Sequence, residues 1–252
     1  MDRIEQSKQK YAELFGNTDV SASGTDPDFA DILNHFVYGD VYSHGSLNDK
    51  QRELITLVVL AANHTLTQLR VHVGAALNVG LTPVEIKEAI YQCAPYIGFP
   101  KTLDALDQAN EVFTEKNISL PLESQKQVQE NERFEKGLNI QVSIFGDMIR
   151  QRQQNTPESQ KHIQEYLSAF CFGEIYSRSG LDIKTRELLT LCTISALGGC
   201  ENQLRSHVQG NLNVGNDKEL MIEAITQCMP YMGFPRTLNA LNSSHQTVWY
   251  HR

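Results

Sequence analysis

Tyr42-Ser43-His44-Gly45-Ser46-Leu47, running on to Arg52-Glu53-Leu54, returns as Tyr176-Ser177-Arg178-Ser179-Gly180-Leu181 and Arg186-Glu187-Leu188, an offset of 134 residues. Further along, Gln68-Leu69-Arg70-Val71-His72-Val73 returns as Gln203-Leu204-Arg205-Ser206-His207-Val208, now at an offset of 135. One residue is therefore inserted in the second copy, most simply within Leu197-Gly198-Gly199-Cys200. Gln92-Cys93-Ala94-Pro95-Tyr96 and Gly98-Phe99-Pro100 match Gln227-Cys228-Met229-Pro230-Tyr231 and Gly233-Phe234-Pro235, and a weaker echo pairs Leu14-Phe15-Gly16 with Ile144-Phe145-Gly146. A repeat of long period decides the architecture before any local feature does. It predicts two tandem copies of one module, over 1–116 and 131–252, joined by a linker over 117–130 and related by a pseudo-twofold axis.

Each module reads as helices. Leu54, Leu57, Val58 and Ala61 recur at helical spacing, as do Leu188, Leu191, Cys192 and Ser195, and neither window shows the alternation of a half-buried strand. Asn78-Val79-Gly80-Leu81-Thr82-Pro83-Val84-Glu85 carries a glycine stop, a threonine N-cap, a first-turn proline and a capping-box glutamate, so one helix ends and the next begins there. The second copy keeps Gly215 and uses Asp217 as cap. Pro100 and Pro235, each soon after a glycine, are expected to break a helix.

The chain has 252 residues, a formal net charge of -8 and five cysteines. No window approaches the length of a membrane span and no basic start precedes an apolar stretch, which predicts a chain that is neither inserted nor exported. An odd number of cysteines in a chain of this size points to reduced thiols in a cytosol, and the acidic balance without a basic run argues against nucleic acid as a partner. His35, His162, His245 and His251 have no companions at metal-ligand spacing, so no metal site is expected.

The residues that could carry chemistry lie inside the repeat. His72 and His207 each follow a glutamine by four residues, Gln68 and Gln203, and share a helix face with it. One helix earlier, Glu53 and Glu187 sit near helix starts. A carboxylate and an imidazole on neighbouring helices make an acid/base pair, although a histidine on an apolar helix face is more often a hydrogen-bonded core residue. Tyr96 and Tyr231 read as core or interface aromatics, and Cys93 and Cys228 as small buried hydrophobes.

Arg178-Ser179-Gly180-Leu181, the Arg-Glu-Leu-x-Thr-Leu strings from Arg52 and Arg186, the two histidine helices and the Tyr-x-Gly-x-Pro strings from Tyr96 and Tyr231 together resemble the carboxymuconolactone decarboxylase family. The likeness spans nearly the whole chain, once per half. It implies an all-α fold of the alkylhydroperoxidase D type and cofactor-free loss of carbon dioxide from a small anionic lactone or related carbonyl compound. It also implies assembly around a threefold axis, here as a homotrimer of tandem chains. Under that resemblance His207, Glu187, Glu201 and Arg178 are the catalytic candidates, with His72 and Glu53 secondary, while Arg186, Arg205, Gln203, Arg52, Arg70 and Gln68 would bind substrate. The pattern departs from the family at Gln68 and Gln203, where a glutamate is expected, and at His44, where the second copy has Arg178. The peroxidases of the same fold use Cys-x-x-Cys. Cys200 occupies the first position, leaving it as the redox candidate, but Gln203 stands at the second. The competing readings are thus a single-cysteine redox protein and a non-catalytic binding or assembly module.

Overall fold

The computed structural model describes residues 2–16 and 25–248, with side chains to 244, so His245 and His251 lie outside the described side chains. Thirteen α-helices are described and no described residue lies in a strand. The first half holds α1 (Arg3–Phe15), α2 (Pro27–Asn34), α3 (Asp49–Asn63), α4 (Leu66–Asn78), α5 (Pro83–Ile97) and α6 (Phe99–Glu115). The second holds α7 (Arg133–Phe145), α8 (Met148–Asn155), α9 (Lys161–Tyr166), α10 (Ile183–Leu197), α11 (Glu201–Val214), α12 (Lys218–Met232) and α13 (Phe234–Val248). Residues 116–132 between them form no helix.

Local chemistry sets these bounds. The Thr82 side chain accepts from the Glu85 amide while Glu85 reaches back to the Thr82 amide, a closed capping box that starts α5, and Asp217 caps α12 in its place. The one-residue insertion falls where the repeat puts it: two residues separate α3 from α4, whereas Gly198, Gly199 and Cys200 separate α10 from α11. The prolines differ from expectation. Gly98 and Gly233, with φ of 82° and 81°, end α5 and α12, and Pro100 and Pro235 then sit in the first turns of α6 and α13. A first-turn proline loses nothing, because its missing N–H would have had no partner in the helix.

The two halves do not keep separate cores. One apolar cluster runs through both, from Ile55, Leu57 and Ile90 to Leu189, Leu191 and Ile225, all at most 1% exposed. α3 and α10 lie at its centre, against each other and against both α5 and α12. The pseudo-twofold is visible in reciprocal bonds across the seam. Arg52 donates to Gln227 at 2.8 Å and Arg186 to Gln92 at 2.9 Å; Gln227 donates to Thr56 at 3.2 Å and Gln92 to Thr190 at 3.1 Å.

Two stretches have no sequence warning. His35–Val41 after α2 and Leu167–Tyr176 after α9 are π-helical, a wider coil that is rare and frequent near functional sites. The second packs closely on α7: a Cβ at Gly173 would stand 2.0 Å from the Arg133 carbonyl oxygen, so only glycine permits the approach. That contact brings Phe172 against Phe145 of α7 and Tyr176 against Glu187 and Thr190 of α10.

Candidate active site

Each half contains a buried line of tyrosine, glutamate and histidine. In the second, His207 Nδ1 lies 2.9 Å from Glu187 Oε2, and the Tyr176 hydroxyl donates to Glu187 Oε1 at 2.6 Å. In the first, His72 Nδ1 lies 2.9 Å from Glu53 Oε2, and Tyr42 donates to Glu53 Oε1 at 2.5 Å. The Glu187–His207 distance is well inside the roughly 6 Å at which charges couple. Both carboxylates are fully buried, so an N–H at Nδ1 is the natural partner for each and Nε2 becomes the nitrogen available to a ligand. Gly210 makes room for the pair, since a Cβ there would come 2.5 Å from Glu187 Oε2.

Behind Glu187 the bonds continue without a break to the seam. Arg186 donates to Gln92, Gln92 to the Thr190 hydroxyl, and Thr190 shares a 2.8 Å bond with Tyr176, which donates to Glu187. Burial, then the neighbouring Glu187 charge, holds the Tyr176 hydroxyl well above its usual pKa, so it stays a donor. Phe145 and Tyr96 stand edge-on to the His207 ring at 5.3 and 5.9 Å; Phe15 and Tyr231 stand edge-on to His72 at 5.7 and 5.5 Å. Each histidine is thus flanked by a tyrosine of the other half. The weak echo around Phe15 and Phe145 marks the other flanking ring, and the repeat signal at Tyr42 and Tyr176 marks the donor; both were present in the sequence without an assigned role.

His207 opens onto a cavity of about 720 Å³. Its cations are Arg205 and Arg152, its neutral polar groups include Gln203 and Gln141, and its walls are mostly apolar, with Phe145, Met148, Ile149 and Phe172 among them. Arg152, on α8, lies outside the repeated strings, and no signal in the sequence distinguished it.

The sequence candidates separate into groups. Glu187, His207, Gln203 and Arg205 come together at this cavity. Arg178 instead grips Glu88 of the first half, with contacts of 2.8 to 3.0 Å, and lies over the Tyr91 ring. Glu201 and Cys200 line a separate narrow crevice with Arg236. Arg52 and Arg186 are 2% and 0% exposed and hold the seam, outside the lining of the His207 cavity. Arg186 binds Glu88, Gln92 and two backbone carbonyls; Arg52 has Gln227 and three carbonyls. Gln68 is exposed on α4, and Arg70 is paired with Glu111 and Glu115. Arg205 has no carboxylate partner among the described residues, so the second copy keeps at its cavity the charge that the first neutralises.

The thiols bear on the redox reading. Burial pushes Cys93 and Cys171 up to about 12, although Cys171 borders the cavity, and Cys200 is the only half-exposed cysteine. Native protein at pH 8 should therefore give one fast-reacting thiol with a disulfide reagent, against five after denaturation. Both raised thiols favour the folded state in neutral form, so their contribution is complete below about pH 9 and is lost as pH rises towards 12. Urea midpoints measured from pH 8 to 11 should fall; a flat profile would contradict it.

No helix among the described residues is long and apolar enough to cross a membrane. Compared with known proteins, the chain is 30% identical over 118 residues to the 4-carboxymuconolactone decarboxylase of Acinetobacter baylyi, covering 46% of this chain and 87% of that protein. It is 30% identical over 89 residues to nitrosuccinic acid decarboxylase npaB of Metarhizium robertsii, 35% of this chain and 59% of that one. An uncharacterized 15.0 kDa protein of Paracoccus denitrificans shares 41% identity over 71 residues, 28% of this chain and 53% of its own. Residues 27–111 and 161–244 each match one family, and these are the stretches that carry the two tyrosine, glutamate and histidine lines. With one such match in each half, the chain belongs to the carboxymuconolactone decarboxylase family.

Proposed function

We propose that this chain is a cofactor-free decarboxylase acting on a small carboxylated lactone or related carbonyl compound in the cavity beside His207. The observation that carries the reading is the Tyr176–Glu187–His207 line ending at a cavity that also holds Arg205. A guanidinium suits a carboxylate because its paired N–H groups match the two oxygens. With the carboxylate held there, the bond from carbon to the carboxyl group breaks, carbon dioxide leaves, and the electron pair moves into the adjoining unsaturated carbonyl system. Protonated His207 then delivers the Nε2 proton to carbon and recovers one from water. Glu187 accepts from Nδ1–H and keeps the ring in the orientation and tautomer needed, while Tyr176 and Thr190 fix the carboxylate. The names of two relatives, decarboxylases of 4-carboxymuconolactone and of nitrosuccinic acid, support the reaction class.

The same proposal includes three tandem chains around a threefold axis. Phe99 and Leu103 in one copy and Phe234 and Leu238 in the other are the same two positions, all more than half exposed, and they supply repeated apolar contacts for a ring.

Purified protein should release carbon dioxide from 4-carboxymuconolactone or nitrosuccinate in a coupled bicarbonate assay, and Arg205→Met should raise KM at least tenfold. No release from either compound would overturn the assignment.

A further inference from the structure

The cavity is too large for a compact substrate alone. Its volume of about 720 Å³ is that of roughly 24 waters at about 30 Å³ each. A compact dicarboxylate or carboxylated lactone has about a dozen non-hydrogen atoms, and bonded atoms occupy less space than separate waters, so it would fill under half of a pocket in the size range of drug-like ligands. The unfilled part has a definite character. Exposure orders the polar groups by depth: His207 is buried, Arg205 half-buried and Arg152 exposed. By the same measure Phe172 and Ile149 are deep, Phe145 is half-buried, and Leu167 and Met148 are exposed with Arg152, so apolar side chains accompany the polar ones along the whole depth. Much of this wall belongs to α8, where Met148, Ile149 and Arg152 are spaced to share one helix face. The second copy has four more residues than the first between the flanking phenylalanine and the donor tyrosine, Phe145 to Tyr176 against Phe15 to Tyr42, and α8 lies in that longer stretch.

We propose that the ligand of this site is a carboxylate carrying an extended apolar body, an alkyl chain or aryl group of about eight carbons, whose carboxylate lies by Arg205 and His207 and whose body packs on α8. An apolar body is rewarded by leaving water, and it would cover Met148 and Leu167, which are 57% and 38% exposed, whereas a compact dianion would leave both facing solvent. The proposal takes the position of the reacting carboxylate from the decarboxylase reading; the apolar subsite itself rests on the lining of the cavity.

Binding of acetate, butanoate, hexanoate and octanoate, followed by NMR titration of the protein at fixed pH and salt, tests it without any turnover. Affinity should rise about threefold to fourfold per methylene, the gain for burying one such group. Met148→Glu, at a side chain 57% exposed and so tolerant of charge, should weaken octanoate at least tenfold more than it weakens acetate. Arg205→Met should weaken the whole series by a similar factor. Affinity independent of length, or a length dependence unaltered by Met148→Glu, would overturn the proposal. A length gradient supports the subsite whether or not the compact substrates release carbon dioxide, and release from them with a flat gradient overturns the subsite while keeping the catalytic reading.

Discussion

His207→Asn should lower the turnover of decarboxylation by about 10²- to 10⁴-fold, the span that a positioned proton donor supplies, with little change in KM. The histidine is the one titrating group at the cavity whose second nitrogen is held by a buried carboxylate, so asparagine keeps polarity but cannot deliver a proton. Leaving Glu187 buried without its imidazole will also cost stability, and rates should be compared well below the melting temperature of the variant. His72→Asn is the matched control. The first copy has an equivalent tyrosine, glutamate and histidine line, but Arg70, its counterpart of Arg205, is neutralised by Glu111 and Glu115. His72→Asn should therefore retain most of the activity. Equal losses in the two variants would show that both sites turn over, and an unaltered rate in His207→Asn would remove the histidine from the chemistry.

The second large effect is expected at the seam. Arg186→Met should destabilise the fold by about 3 kcal/mol, the low end of the range for breaking a buried ion pair, because Glu88 loses one guanidinium partner and keeps Arg178. Arg186 is 0% exposed and its loss removes bonds to Glu88, Gln92 and the carbonyls of Arg178 and Ser179. The corresponding Arg52→Met should cost less, about 1–3 kcal/mol, because its direct partners are neutral: Gln227 and backbone carbonyls. Urea unfolding of the two variants measures the difference. Because Gln92 links Arg186 to Thr190 and so to Tyr176, Arg186→Met should also lower kcat, at a residue outside the lining of the His207 cavity. Two variants of equal stability, or full activity in Arg186→Met, would show that the seam arginines are interchangeable supports.

The sequence alone determined the helical class, the duplication and the position of the one-residue insertion, and it offered Glu187 with His207 and Glu53 with His72 as candidate pairs. These are legible because they rest on short-range periodicity, on caps such as Thr82 and Asp217, and on comparison of one half with the other, all of which survive in a string of letters. Tertiary structure decided what each arginine does. Arg52, Arg178, Arg186 and Arg205 look alike as candidates for holding an anion, and only packing separates them: two are enclosed at the seam, one is taken by Glu88, and one reaches the cavity. It also decided that Glu201 and Cys200 face a different crevice from His207, and that Arg152 belongs to the cavity wall. It also set the π-helical turns that place Tyr42 and Tyr176, which pack on α1 and α7, and the crossing of Tyr96 and Tyr231 to the opposite half, which follows from α5 and α12 packing against a core common to both modules. The physical reason is that a charged side chain takes its role from the groups within a few ångströms of it, and the groups that decide the matter here, Gln227 for Arg52 and Glu88 for Arg178 and Arg186, lie 90 or more positions away in the chain, beyond the reach of local pattern.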